Sequence, residues 1–106
     1  MGAYPVGIAF DGTHIWVAVA DNNSVEELDT AGNIVGTFGV GASPYGIAFD
    51  GTHLWIANRL SKSVTELNTA GNVVGTFGVG TSPIGIAFDG THIWVTNSDD
   101  GTVQRL

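Results

Sequence analysis

Pro44-Tyr45-Gly46-Ile47-Ala48-Phe49-Asp50-Gly51-Thr52-His53-Leu54-Trp55-Ile56-Ala57 is the stretch on which the fold turns, because the chain repeats it. Near-copies begin at Pro5 (PVGIAFDGTHIWVA) and at Pro83 (PIGIAFDGTHIWVT), each 39 residues away. Between residues 5–43 and 44–82, 27 of 39 positions are identical, and residues 83–106 match 13 of 24 positions of the second unit. A period of this length and fidelity marks one supersecondary unit, stacked on copies of itself. The third unit stops short of counterparts to residues 68–82, so two units and part of a third are present.

Each unit reads as four strands. In the second, residues 46–49 form the first, ended by the turn pair Asp50-Gly51. Residues 53–57 form the second, 63–67 the third and 73–77 the fourth, with Asn68-Thr69-Ala70-Gly71-Asn72 as the turn between the last two. Strand two alternates Leu54 and Ile56 with Trp55 and Ala57, apolar on both faces, as a strand buried on both sides does. Strand three is more polar. Strand one is rich in Gly and Ala, which suits a crowded inner position where backbones approach closely. A four-stranded antiparallel unit, buried inside and more polar outside, recurring every 39 residues, predicts an all-β fold of β-propeller blades. Residues 5–43 are blade 1, residues 44–82 blade 2, and residues 83–106 a blade 3 without its outer strand. A β-helix turn is much shorter than this unit, and a sandwich does not require near-identical units.

Composition agrees. Hydrophobic residues make up 43% of the 106 and charged residues 12%, the reverse of a disordered chain. The formal net charge is −7, which repels phosphate, so neither nucleic acid nor an anionic membrane is expected as a partner. There is no cysteine, hence no disulfide framework or thiolate site, and the compartment stays open. No apolar run approaches the ~20 residues of a bilayer span. The opening residues, Met1-Gly2-Ala3-Tyr4-Pro5, lack a basic segment followed by an apolar run and have Val6 where myristoylation wants Ser or Thr, so no leader or acyl anchor is expected.

In its details the unit resembles the YVTN/NHL group of propeller repeats. Ile93-Trp94-Val95-Thr96-Asn97 is a Trp variant of the YVTN core, Trp55-Ile56-Ala57-Asn58 stands in the same place, and the flanking Pro-x-Gly-Ile-Ala-Phe-Asp-Gly and Ser-Val-Thr-Glu-Leu-Asn-Thr-Ala-Gly-Asn segments match the rest. The resemblance covers nearly the whole chain and implies the fold. It implies little about function, because relatives include binding proteins, sensor modules and the virginiamycin B lyase-like enzymes. They usually carry six or seven blades in one chain, whereas this chain has fewer than three, with a regularity like that of engineered or recently amplified propellers.

A blade buries both faces, so the end blades of a lone chain would each expose one. The last blade of one copy can dock on the first blade of another, head to tail, until the ring closes. Three inner strands per chain make the ring a multiple of three: six blades in a homodimer, the favoured state, or nine in a homotrimer.

His14, His53 and His92 recur in Asp-Gly-Thr-His. Packed sheets lie ~10 Å apart, while ligands of one zinc ion lie within ~4 Å of each other, so one histidine per blade does not make a shared metal site. They are read as turn residues, Asp11, Asp50 and Asp89 as turn formers, and Trp16, Trp55 and Trp94 as inter-blade core. Asp99-Asp100-Gly101 lacks the remaining ligands of a calcium loop. No metal, cofactor or catalytic residue is expected. Between blades only the loop joining strands two and three changes almost completely, and such loops are where a propeller places specificity. The candidate binding residues are therefore Asp21, Asn22, Tyr45, Asn58, Arg59, Lys62, Asn97, Asp99 and Asp100, for a small-molecule or glycan ligand left unidentified. The expected function is a non-enzymatic homo-oligomeric scaffold or binding module, engineered or minimal. The alternative is a metal-dependent lyase-like enzyme.

Overall fold

The computed structural model describes residues 4–106. Residues 1–3, on which the expectations about a leader and an acyl anchor bear, lie outside them.

Eleven strands and no helix form among the described residues. Blade 1 contains β1 (Pro5–Phe10), β2 (Ile15–Val19), β3 (Ser24–Leu28) and β4 (Ile34–Gly39). Blade 2 contains β5 (Pro44–Phe49), β6 (His53–Asn58), β7 (Ser63–Asn68) and β8 (Val73–Gly78), and blade 3 contains β9 (Pro83–Phe88), β10 (Ile93–Asn97) and β11 (Thr102–Arg105). The three sheets are antiparallel meanders with order β1-β2-β3-β4, β5-β6-β7-β8 and β9-β10-β11. Register in blade 2 pairs Ala48 with Trp55, Trp55 with Glu66 and Val64 with Phe77, so each strand's alternate residues line one of two faces.

The first strands converge: β1 lies against β5 and β5 against β9. Glycine makes this possible. A methyl at Gly7 would strike the Tyr45 carbonyl, and one at Gly46 would strike the Ile84 carbonyl. Pro-x-Gly is thus the point where inner strands touch, and the sheets fan outward from it.

Side chains fill the wedges between sheets. Trp16, Ala18 and Val25 from blade 1 pack on Ile47, Leu54, Ile56 and Leu67 from blade 2. The opposite face of blade 2, with Ala57 and Val64, packs on Val95 and Ile86 of blade 3. Each joint therefore sets a Trp face against an Ile/Leu face. Phe38 and Phe77, on the outer strands, lie over Trp16 and Trp55 at 5.6 and 5.4 Å between ring centroids. Strand three is more buried than its polarity predicts, because Thr65 sits inside with Asn58 as partner.

At the ends the same two faces are open. Ile8 is 69% exposed and Phe10 56%, while Ile47, the counterpart of Ile8, is 9% exposed. An apolar cleft of about 260 Å³ lies there, lined by Ile8, Ala9, Phe10 and Ile15. On blade 3, Trp94 is 39% exposed and Val103 64%, whereas Trp16 is fully covered. No helix among the described residues is long and apolar enough to cross a membrane.

Candidate functional site

The meander puts the β1–β2 and β3–β4 turns at one end of each blade. The β2–β3 loops and the inter-blade connections lie at the other. The first end is built by repetition. In all three copies one carboxylate oxygen of Asp11, Asp50 or Asp89 accepts the backbone N–H of the Thr two residues on and of the His three residues on, at 2.7–2.8 Å. The other oxygen accepts the indole N–H of Trp16, Trp55 or Trp94, at 2.8 Å each time. Gly12, Gly51 and Gly90 turn the chain with φ of 97°, 99° and 100°, a region open to glycine without strain. Burial works to raise Asp11 and Asp50, but the bonds from the His amide, the indole and the Thr amide outweigh it, and both carboxyls lie below the usual carboxylate value. Asp89, held first by the His92 amide and then by Trp94 and Thr91, is lowered to about 2.

Histidine completes this end. His14 Nδ1 lies 3.1 Å from Glu27 Oε2, and His53 Nδ1 lies 2.7 Å from Glu66 Oε2. These two turn histidines thus bond within their own blades. Blade 3 has Arg105 at that register, opposite Trp94. In blade 1, Asp11, His14 and Glu27 each bring one potential ligand atom within 4.8 Å of the others. A cleft of about 490 Å³ beside them is shared with Phe49, Gly51 and Thr52 of blade 2. The expectation of no metal-ligating group did not foresee this gathering. Glu27 comes 13 residues after His14, and only the register of β2 on β3, which sets Glu27 opposite Trp16, brings it there.

At the other end the nine candidate binding residues separate. Asn58 and Asn97 face inward, at 0% and 2% exposure, where a ligand cannot reach them. Asn58 Nδ2 donates to Ser63 and Thr65, while its buried Oδ1 has no partner among the described residues. Asn97 donates to Thr102 and Gln104 and accepts from the Gly80 amide. Polarity in a loop position signalled exposure, but these two end strands and bridge them internally. Asp99 accepts from the Ser82 hydroxyl at 2.7 Å and Asp100 from the Thr81 amide at 2.8 Å, so both clamp the loop to the segment leading into their own blade. Asp21 holds the Tyr4 amide at 3.3 Å. Asn22 and Lys62 are exposed.

Tyr45 and Arg59 do come together, and Tyr4 joins them. The Arg59 guanidinium carbon lies 5.5 Å from the centre of the Tyr45 ring. Tyr4 meets that ring edge-on, at 6.3 Å and 89°. A hydrogen bond between the two phenols, aided by burial, raises Tyr45 above its usual value. Tyr4 stands one residue before the first repeat, so the repeat pattern gave no cue to it. Its aromatic character was the one available signal.

No protein-family model matches the sequence, and no curated protein matches it. Solved structures do. Regucalcin from Agrobacterium tumefaciens, described as a calcium-binding protein, superposes with a TM-score of 0.83 at 21% identity, covering 97% of this chain and 45% of its own. A streptogramin B lyase gives 0.78 at 24% identity, covering 98% of this chain and 40% of its own. Virginiamycin B lyase from Staphylococcus aureus gives 0.78 at 18% identity, covering 96% and 40%. The chain therefore spans less than half the length of these proteins. At such identities the likeness establishes the fold, the β-propeller that the YVTN/NHL resemblance implied.

Proposed function

We propose that this chain, three β-propeller blades with an open flank at each end, is a self-assembling, non-enzymatic binding module. Its ring is closed by further copies of itself. The observation that carries the reading is the match between joints already made and faces left open. A Trp face meets an Ile/Leu face twice within the chain, and one of each remains, on blade 3 and blade 1. Such a contact is head-to-tail and closes when the rotation allows. The rotation that relates blade 1 to blade 2 also relates blade 3 to the next copy's blade 1. Two copies make six blades and three make nine, and we favour six. The loop end, where blades differ, is the binding face.

Sedimentation equilibrium from 1 to 100 µM tests this. A mass of two chains supports the six-blade ring and three the nine-blade ring. A single-chain mass throughout the range overturns the assembly.

A second reading, a metal-dependent enzyme, has one observation in its favour: Asp11, His14 and Glu27 gathered beside a cleft. Against it, Asp11 already accepts three hydrogen bonds that hold the turn and Trp16, the same bonds that blade 3 makes without the carboxylate partner for its histidine. Metal content after dialysis against zinc or manganese, in the wild type and in His14→Ala, separates the two. Stoichiometric metal lost with His14 would favour the enzyme.

A further inference from the structure

Among the described residues, the loop end holds a cation, Arg59, without a counter-ion. The sequence has three Lys and Arg against ten Asp and Glu, yet among the described residues no carboxylate lies within ion-pair distance of Arg59. Its place is not accidental. The Arg59 amide donates to the Ser43 carbonyl at 2.9 Å and the Leu60 amide to the Ala42 carbonyl at 3.1 Å, which fastens the loop to the segment leading into blade 2. The side chain then lies half-buried over Tyr45, which follows the buried Pro44 at the start of an inner strand. Tyr4 backs Tyr45 edge-on and is itself anchored at both ends of its backbone, its amide to Asp21 and its carbonyl accepting from Ala20 at 3.0 Å. Blades 1 and 3 have Ala20 and Ser98 at the position of Arg59, and Val6 and Ile84 at that of Tyr45. The arrangement therefore occurs once and breaks the repeat.

A cation–π contact with a ring face uses none of the five N–H donors of a guanidinium. Partly shielded from water over the Tyr45 ring, those donors form a fork that fits a planar or tetrahedral oxyanion with two parallel bonds. The two phenols add hydroxyls at the rim.

We infer that Tyr4, Tyr45 and Arg59 form a binding site for a small molecule bearing a carboxylate or phosphate group, the oxyanion taken by Arg59 and the body of the molecule by the tyrosine rings. The net charge of −7 turns away long polyanions, whose many charges meet the acidic surface, more than a compact anion that meets Arg59 alone. The site names a ligand class for the binding face of the proposed function. All its residues come from blades 1 and 2 of one chain, so it stands whether or not the ring closes.

Sodium phosphate and sodium acetate, each titrated at pH 7 and constant ionic strength against a sodium chloride control, test it through the amide NMR resonances of Tyr45, Arg59 and Leu60. The expected result is saturable shifts with at least one of the two anions and none with chloride, the anion that binds more tightly naming the group. Arg59→Gln weakens binding at least tenfold, and Arg59→Lys, which keeps the charge without the fork, falls between. A joint-breaking Ile8→Asp variant binds as the wild type does, which separates this site from the assembly. Equal shifts with chloride, no saturation with either anion, or an Arg59→Gln titration matching the wild type overturns the site.

Discussion

Replacing Ile8 by Asp puts a charge on the open flank of blade 1 and leaves the single chain almost untouched. Ile8 is 69% exposed, and its counterpart Ile47, in a made joint, is 9% exposed. Closing the ring would thus cover about six tenths of the side chain, which at about 1.5–3 kcal/mol for a fully buried aliphatic is worth about 1–2 kcal/mol per joint. Trp94, going from 39% exposure to the complete burial of Trp16, covers about 60–100 Å² of its ~150–250 Å², or about 1.5–2.5 kcal/mol. Ile8→Asp forfeits the first amount and sets an unpaired carboxylate against Trp94, a further cost of several kcal/mol. A loss of at least about 3 kcal/mol per joint is a weakening of more than about 100-fold. At a dilution where both proteins are single chains, urea unfolding should shift by less than about 0.5 kcal/mol, the usual range for exposed positions, because the assembly no longer adds to the wild type's stability. Light scattering at 10 µM is the assay, with the wild type run beside the variant. A wild type of two or three chains should become a single chain in Ile8→Asp. A variant that keeps the wild-type mass would refute the claim that this face makes the joint.

Three further predictions concern the scaffold. Lowered aspartate values mean that the Asp-turn bonds contribute stability above the ordinary value of 3.8 and lose it as pH falls toward about 2, the value for Asp89; urea midpoints should be flat from pH 7 to 5, decline below pH 4, and decline less in Asp89→Asn, whose amide no longer titrates. Gly46→Ala should cost about 1–3 kcal/mol or more, because the methyl meets the rigid Ile84 carbonyl, whereas Gly78→Ala, with open space around it, should be neutral or mildly stabilising by thermal melt. Lys62 holds φ of 50° where blade 3 has Gly101 at 65°, so Lys62→Gly should raise stability by about 0.5–1 kcal/mol in a urea titration.

Much of this protein was legible as text. Periodicity located the blades, and alternation placed the strands to within two residues at either end: 46–49 became Pro44–Phe49, and 73–77 became Val73–Gly78. The core roles of Trp16, Leu54 and Ile56 followed from a strand apolar on both faces. These features are local, set by side-chain alternation and turn residues a few positions apart, so a one-dimensional reading reaches them. The register and the fan of the sheets decided the rest. They turned Asn58 and Asn97 inward although their loop neighbours are exposed, joined His14 to Glu27 across two strands, and carried Trp indoles back to the turn aspartates. They also set Arg59 over Tyr45 with Tyr4 behind it, three residues from two blades and up to 55 positions apart. Contacts of that separation depend on how strands cross and sheets converge, which composition and period leave free.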